Sequence, residues 1–197
     1  MLIAEDLRSH GLTGCLPDPP RGVEREFAGG IGAKKVDVSW STEEAGLLLA
    51  ISVKTVNFAD RKTGNYQKNL TNRRGDMLFE AVTLHRRFPY AVIGGLLLLH
   101  QGARSDDQGR QRRSTFENAH DRFRIFTGRA DPGGREEQFE RAWISLYDDN
   151  PASLKIYRAG EPQTALTWDQ ARDELLQILA ERNPDHFVLT GGRLERL

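Results

Sequence analysis

The sequence is short of cysteine, of net charge and of long apolar runs. Cys15 is the only cysteine among 197 residues, which excludes an intrachain disulfide and gives no sign of an oxidising compartment. Lysine and arginine together number 28, as do aspartate and glutamate, so no overall field draws the chain towards nucleic acid or an acidic membrane. Any basic surface must therefore be local.

The longest apolar run, residues 91–99, is far too short to cross a bilayer and contains Gly94 and Gly95, so it predicts an interior strand. The N-terminus carries Glu5 and Asp6 and has neither the basic nor the apolar section of a signal peptide. We therefore expect a cytoplasmic protein that does not contact a membrane. The length suits a single α/β domain.

Hydrophobic periodicity in the first half of the chain predicts strands on both sides of one helix. Valines alternate around Asp37, a second apolar run becomes polar at its end, and a third follows the helix. We expect an αβββαβ core over about 24–101, a mixed sheet flanked by helices, with Glu24 and Glu26 on a helix at its start. Two of the strands before the second helix, a polar loop, that helix and the strand after it cover residues 34–40, 46–54, 57–66, 67–85 and 90–100.

The second half predicts α+β additions over about 102–197, within one domain that covers residues 1–197. Thr167 is a good N-cap for a final helix that stops before Pro184, and an amphipathic segment surrounds Phe139. The other segments are a polar loop, a helix, a strand, a turn and a strand over residues 102–114, 115–126, 142–147, 148–151 and 154–157.

Candidate catalytic side chains gather in the predicted core around Lys54. Alternation along a strand places Ser52 and Lys54 on one face, and a neighbouring strand brings Asp37 alongside. On the following helix, Asp76 and Glu80 lie one turn apart. Carboxylate oxygens bind a hard cation such as Mg²⁺, and a nearby lysine suits phosphodiester hydrolysis. Solvated strand ends and a polar helix face are the alternative explanation.

The order of these residues resembles the PD-(D/E)XK nuclease superfamily, whose core carries an aspartate on one strand and acid-x-lysine on the next. Ser52 stands where the acid of acid-x-lysine is expected. This departure is similar to a branch of type II restriction endonucleases that has Ser-x-Lys and carries its second acid on the following helix. The resemblance covers about residues 36–99 and implies a restriction-endonuclease-like fold.

Two short motifs carry the likeness to that branch. Its helix has the pattern Gln-Asn-x-Arg-x-Glu-x-Leu, and residues 71–78 of this chain are Thr-Asn-Arg-Arg-Gly-Asp-Met-Leu. The Asp60-Arg61 pair also matches the branch, whereas the loop after Lys54 is longer and no proline precedes Asp37. The matching helix positions, with aspartate in place of glutamate, are Asn72, Arg74, Asp76 and Leu78.

The resemblance implies a Mg²⁺-dependent DNA endonuclease that acts in restriction or in defence against foreign DNA, with Mn²⁺ as a substitute ion. The expected substrate is double-stranded DNA, and a duplex cutter that needs two sites often works as a homodimer. A non-catalytic nucleic-acid-binding or interaction module on a degenerate nuclease fold is the alternative function.

The resemblance also assigns the metal site. Asp37, Asp76 and the backbone carbonyl of Val53 are the expected ligands. Lys54 is expected to orient or activate water and to stabilise the pentacovalent phosphate. Glu80 is the alternative second ligand if the helix register is shifted by one turn.

Further expectations concern residues around this site. Ser52 is included among the catalytic residues, and Glu24 or Glu26 is a candidate for the early-helix acid of many relatives. The turn-forming residues 29–32 lack the setting of a dinucleotide fingerprint, and the scattered histidines lack the spacing of a zinc site. The expected DNA contacts are Arg61, Asn72, Arg73 and Arg74.

Overall fold

The structure is a computed structural model that describes residues 3–18, 22–106, 113–148 and 154–197. The helices in these ranges are α1 (Ile3–Ser9), α2 (Leu70–Arg87), α3 (Thr115–Phe123) and α4 (Trp168–Arg182). The strands are β1 (Arg25–Ala28), β2 (Ala33–Val36), β3 (Val38–Thr42), β4 (Gly46–Val56), β5 (Val92–His100), β6 (Arg141–Tyr147), β7 (Lys155–Arg158), β8 (Ala165–Leu166), β9 (Phe187–Thr190) and β10 (Arg193–Arg196).

Six strands form one mixed sheet in the order β3-β4-β5-β6-β7-β8. The central strands β4, β5 and β6 run parallel, whereas β3 pairs antiparallel with β4, and β7 pairs antiparallel with β6 and β8. A strand covered on both faces needs apolar residues at successive positions, which explains the fully buried run 47–51 of β4. The predicted α/β class, with a mixed sheet flanked by helices, is confirmed.

Helical layers cover both faces of the sheet. Helices α2 and α3 pack on one face, and α1, α4 and the β9–β10 hairpin pack on the other. Strand β5 carries glycines where the two layers come closest. A Cβ atom at Gly94 would lie 3.0 Å from Trp143 and 3.1 Å from Leu175, and one at Gly95 would lie 2.8 Å from Met77. Close packing on both faces therefore accounts for two glycines inside a buried strand.

Most of the elements predicted from periodicity are confirmed, including β4, α2, β5, β6 and the N-cap at Thr167. Residues 107–112 of the predicted loop and 149–151 of the predicted turn lie outside the described residues. Within the described ranges, no helix is both long and apolar enough to span a bilayer.

Two predicted elements are wrong. Glu24 and Glu26 do not lie on a helix, because residues 25–28 form β1 and pair with β2, so four strands precede α2 instead of three. The predicted strand over residues 34–40 is not continuous either, because β2 ends at Val36, β3 begins at Val38 and the two strands belong to different sheets. In the amphipathic segment, Phe139 is buried and its backbone bonds to Phe126 and Arg129.

The β1–β2 hairpin lies on α2 through its glycine turn, which confirms the turn predicted for residues 29–32. The backbone N–H of Gly30 donates to the carbonyl oxygen of Thr83 at 2.8 Å. A Cβ atom at Gly29 would overlap Thr83, and one at Gly30 would overlap the side chain of Arg86. Because glycine has no side chain, the turn can lie against the helix, and this contact fixes the position of β2.

A buried ion network joins α2 to the sheet and to α4. Glu140 is fully buried, and its Oε1 lies 3.0 Å from Nη1 of Arg129 and 2.6 Å from Nη1 of Arg182. Its Oε2 accepts the backbone N–H of Ile93 at 2.6 Å and lies 3.2 Å from Nε2 of His85. Each oxygen of this carboxylate thus has two partners, which offsets the cost of removing its charge from water.

Candidate active site

The side chain of Lys54 lies at the polar end of β4 and contacts three oxygen atoms. Its Nζ lies 2.9 Å from Oδ2 of Asp37, 3.3 Å from Oε2 of Glu80 and 3.3 Å from the carbonyl oxygen of Val53. Two carboxylates and one backbone carbonyl therefore converge on one ammonium group. Five side chains joined in a chain of hydrogen bonds and ion pairs form the Lys54 cluster, namely Lys34, Asp37, Ser52, Lys54 and Glu80.

Alternation along β4 explains why Ser52 and Lys54 both face α2. Val53, between them, packs against the core on the opposite face of the sheet. Asp37 lies in the break between β2 and β3, not inside one continuous strand. The register that pairs Val38 with Ile51 places Asp37 beside the end of β4, where its Oδ2 accepts the Val53 N–H at 2.7 Å. The structure therefore brings Asp37, Ser52 and Lys54 together.

Glu80, on α2, supplies the second carboxylate of the cluster and is fully buried. Its Oε2 accepts the hydroxyl of Ser52 at 3.0 Å and lies 3.6 Å from Nζ of Lys34, in addition to its contact with Lys54. Its Oε1 has no hydrogen-bond partner among the described residues. One oxygen of this carboxylate is therefore surrounded by donors, while the other is unpaired.

Asp76 lies outside the Lys54 cluster, although the helix motif gave it the role of second ligand. Its side chain is 52 % exposed, and its Oδ2 lies 3.4 Å from Nη1 of Arg73. Glu80, one turn later on α2, is the acid that contacts Ser52 and Lys54. The structure thus places Glu80, the alternative second ligand, in the cluster.

Burial and neighbouring charges act in opposite directions on the two central groups. Burial raises the pKa of Glu80 above its ordinary value, and the cations of Lys54 and Lys34 offset only part of this rise. Burial lowers the pKa of Lys54, but the charge of Glu80 and the hydrogen bond to Asp37 outweigh it, so the pKa lies above its ordinary value. Lys54 is therefore a cation at neutral pH, which suits it to stabilising negative charge.

Lys34 is a member of the cluster that the sequence analysis did not identify. It lies on β2, two residues before the buried Val36, and its side chain is 26 % exposed. Residues two apart on a strand share a face, so the apolar Val36 is the sequence signal that Lys34 turns inwards. A continuous strand over residues 34–40 would place Lys34 and Asp37 on opposite faces, whereas the break at Asp37 lets both reach the cluster.

The oxygen atoms around Lys54 fit a hard divalent cation. Asp37 and Glu80 provide carboxylate oxygens and Val53 provides a carbonyl oxygen, which are the donors that Mg²⁺ takes from proteins along with water and phosphate. The positive charge of the Lys54 ammonium already lies in contact with all three of these oxygen atoms. Within the described ranges, no three residues of the His, Cys, Asp and Glu types form a metal-binding group, so the carbonyl of Val53 is needed to complete the set.

A cleft of 560 Å³ lies beside the loop that follows β4. Phe58 in its lining is 83 % exposed, and Asp60 is engaged by Lys68 at 3.1 Å. Arg61 and Lys62 also line the cleft, and neither has an ion-pair partner in the part of the chain that the structure describes. Unpaired cations beside an exposed aromatic ring suit a nucleic-acid backbone and its bases.

The other expected DNA contacts lie on the first turns of α2. Asn72 is exposed, whereas Arg73 donates through Nε to the carbonyl oxygen of Thr55 at 3.2 Å. The guanidinium of Arg74 lies over the ring of Phe126, 5.9 Å from its centre. Both arginines are therefore engaged within the protein, and a bound DNA would have to contact the donor groups that these interactions leave free. The exposed Glu24 and Glu26 form no side-chain hydrogen bond or ion pair with the Lys54 cluster within the described ranges.

No family model, no curated protein and no solved structure matches the chain. The functional inference therefore depends on the geometry of the Lys54 cluster and on the sequence motifs that surround it.

Proposed function

We propose that the protein is a metal-dependent DNA endonuclease with a restriction-endonuclease-like core, acting in restriction or in defence against foreign DNA. The observation that carries the proposal is the convergence of oxygens from Asp37, Glu80 and Val53 on the ammonium of Lys54. In this proposal Glu80 takes the role of second acid that the helix motif first gave to Asp76.

The arrangement of the strands supports the same proposal. Asp37 lies just before β3, which pairs antiparallel with β4, and Lys54 lies near the end of β4. Helix α2 then connects β4 to β5, which runs parallel to it. This order of acid, lysine and helical acid is the one that the resemblance to the Ser-x-Lys branch of the PD-(D/E)XK superfamily implies.

Four side chains of the cluster and the backbone of Val53 have distinct tasks in phosphodiester hydrolysis. Asp37, Glu80 and the carbonyl of Val53 would hold Mg²⁺ or Mn²⁺, which when bound supplies positive charge beside the scissile phosphate. The Val53 N–H holds the Asp37 carboxylate, and the Ser52 hydroxyl holds Glu80. The Lys54 ammonium donates to a phosphate oxygen and stabilises the negative charge that grows as water attacks phosphorus.

Plasmid nicking tests the proposal. The protein is expected to nick supercoiled DNA in Mg²⁺ and not in EDTA, and Asp37→Ala and Lys54→Ala are each expected to slow nicking at least about a hundredfold. Lys35→Ala, which removes an exposed lysine of β2, is the matched control and should cleave like the wild type. Nicking that survives both cluster substitutions would refute the proposal. DNA binding without metal-dependent nicking would favour the non-catalytic module.

Arg61→Ala is expected to weaken binding to all duplexes to a similar extent. An exposed, unpaired cation that contacts a phosphate releases about one counterion, so the slope of log K against log salt concentration should fall by about one. Fluorescence anisotropy of a labelled duplex, in Ca²⁺ to prevent cleavage, measures this slope. The control is Arg196→Ala, which changes an exposed arginine of β10. An unchanged slope for Arg61→Ala would exclude a phosphate contact.

A further inference from the structure

Strand β2 brings a second lysine to the buried carboxylate. Nζ of Lys34 lies 3.6 Å from Oε2 of Glu80, the same oxygen that accepts from Ser52 and contacts Lys54. Lys34 lies five residues after Gly29, and its position depends on the glycine turn that packs the β1–β2 hairpin against α2. Lys34 therefore approaches Glu80 from a different sheet than Lys54 does.

The two lysines differ in what they contact. Lys54 touches both carboxylates and the carbonyl of Val53, whereas the ion pair of Lys34 is to Glu80. With Lys34 included, two ammonium groups face two carboxylates, so the formal charge of the cluster is zero. A divalent ion that binds here meets the repulsion of both lysines, and it has to share the carboxylate that Lys34 contacts.

We propose that Lys34 is a positioning residue that holds Glu80 in the metal-free site and competes with the divalent ion for this carboxylate, so that Lys34 limits the metal affinity of the nuclease. The inference rests on the proposed function, because it requires a metal held by Asp37 and Glu80. The ion pair between Lys34 and Glu80 breaks when the ion binds, and it forms again when the ion leaves, so that Lys34 again neutralises the carboxylate.

The test is Mn²⁺ binding by isothermal titration calorimetry without nucleic acid. Lys34→Met removes the charge but keeps a long apolar side chain, and its affinity for Mn²⁺ is expected to be about tenfold tighter than that of the wild type. Lys34→Arg keeps the charge and should bind Mn²⁺ like the wild type. Lys35→Met removes the same charge from the exposed neighbouring residue, and solvent screening should leave its affinity within about twofold of the wild type.

Several outcomes would overturn this role of Lys34. Unchanged or weaker Mn²⁺ binding by Lys34→Met would exclude competition for Glu80, and equal tightening by Lys35→Met would show an effect of net charge without contact. A wild type that binds no Mn²⁺ would overturn the metal-dependent function itself, which separates the two failures. Circular dichroism confirms that each variant is folded, and Lys34→Gln, with the same expected tightening, replaces Lys34→Met if that variant does not fold.

Discussion

Replacing Glu80 by glutamine is expected to slow metal-dependent DNA cleavage about a thousandfold at neutral pH. The substitution keeps the size of a fully buried side chain but removes the carboxylate that faces Lys54 and Lys34. A metal site that loses a carboxylate loses several kcal/mol of stabilisation of the transition state, and each factor of ten in rate corresponds to about 1.4 kcal/mol. Single-turnover cleavage of a labelled duplex in saturating Mg²⁺ measures the effect.

Asp76→Asn is the matched control for this experiment. It makes the same change one turn earlier on α2, at a side chain that is half exposed and paired with Arg73, so its rate should stay within about threefold of the wild type. The reverse outcome, with Asp76→Asn inactive and Glu80→Gln active, would return the second ligand to the position of the helix motif.

Replacing Glu140 by glutamine is expected to have the largest effect on stability, lowering the free energy of unfolding by about 3–5 kcal/mol. The variant leaves the guanidinium groups of Arg129 and Arg182 buried without an anion. Urea unfolding followed by circular dichroism measures the loss. Glu136→Gln removes an exposed ion pair with Arg86 and should cost less than about 1 kcal/mol. Equal stability of the two variants would mean that the network contributes no more than a surface pair.

The same carboxylate predicts how stability depends on pH. Burial raises the pKa of Glu140, but His85, the charge of Arg182 and the N–H of Ile93 outweigh burial and hold the pKa below its ordinary value. The stabilisation is complete above the pKa of the unfolded chain and is lost as pH falls through the pKa of the folded protein. Below about pH 4, the wild type should therefore lose stability more steeply than Glu140→Gln.

Strand β4 and helix α2 are predictable from the sequence because each carries its pattern within its own residues. The apolar run of β4 and the helical spacing of α2 require no knowledge of distant partners. The contact between Asp37 and Lys54 is also predictable, because β3 and β4 are neighbours joined by a short connection. The local part of the candidate site could thus be predicted.

The choice between Asp76 and Glu80 could not be made from the helix alone. A step of four residues leaves two side chains within about 40° on the helix surface and about 6 Å apart along the axis. Which acid contacts Lys54 depends on the position of α2 along the sheet. Contacts between residues distant in sequence determine that position. They include the packing of Met77 over Gly95 and the bond between His85 and Glu140.

The prediction of a helix at Glu24 and Glu26 failed for a similar reason. A four-residue strand has no periodicity long enough to distinguish it from the start of a helix. Residues 25–28 are a strand because they pair with β2, and the hairpin is held by α2. The position of Lys34 depends on that same docking, so the strand and the missed lysine have one cause.

The Lys54 cluster also has a consequence for the order in which the chain folds. Its members all lie between residues 34 and 80, whereas the network of Glu140 links His85 of α2 to Arg182 of α4. The entropy lost on closing a loop grows with the number of residues it contains. The residues assigned to catalysis therefore come from one segment of the chain, while the position of α2 that brings Glu80 to Lys54 is completed only when α4 docks.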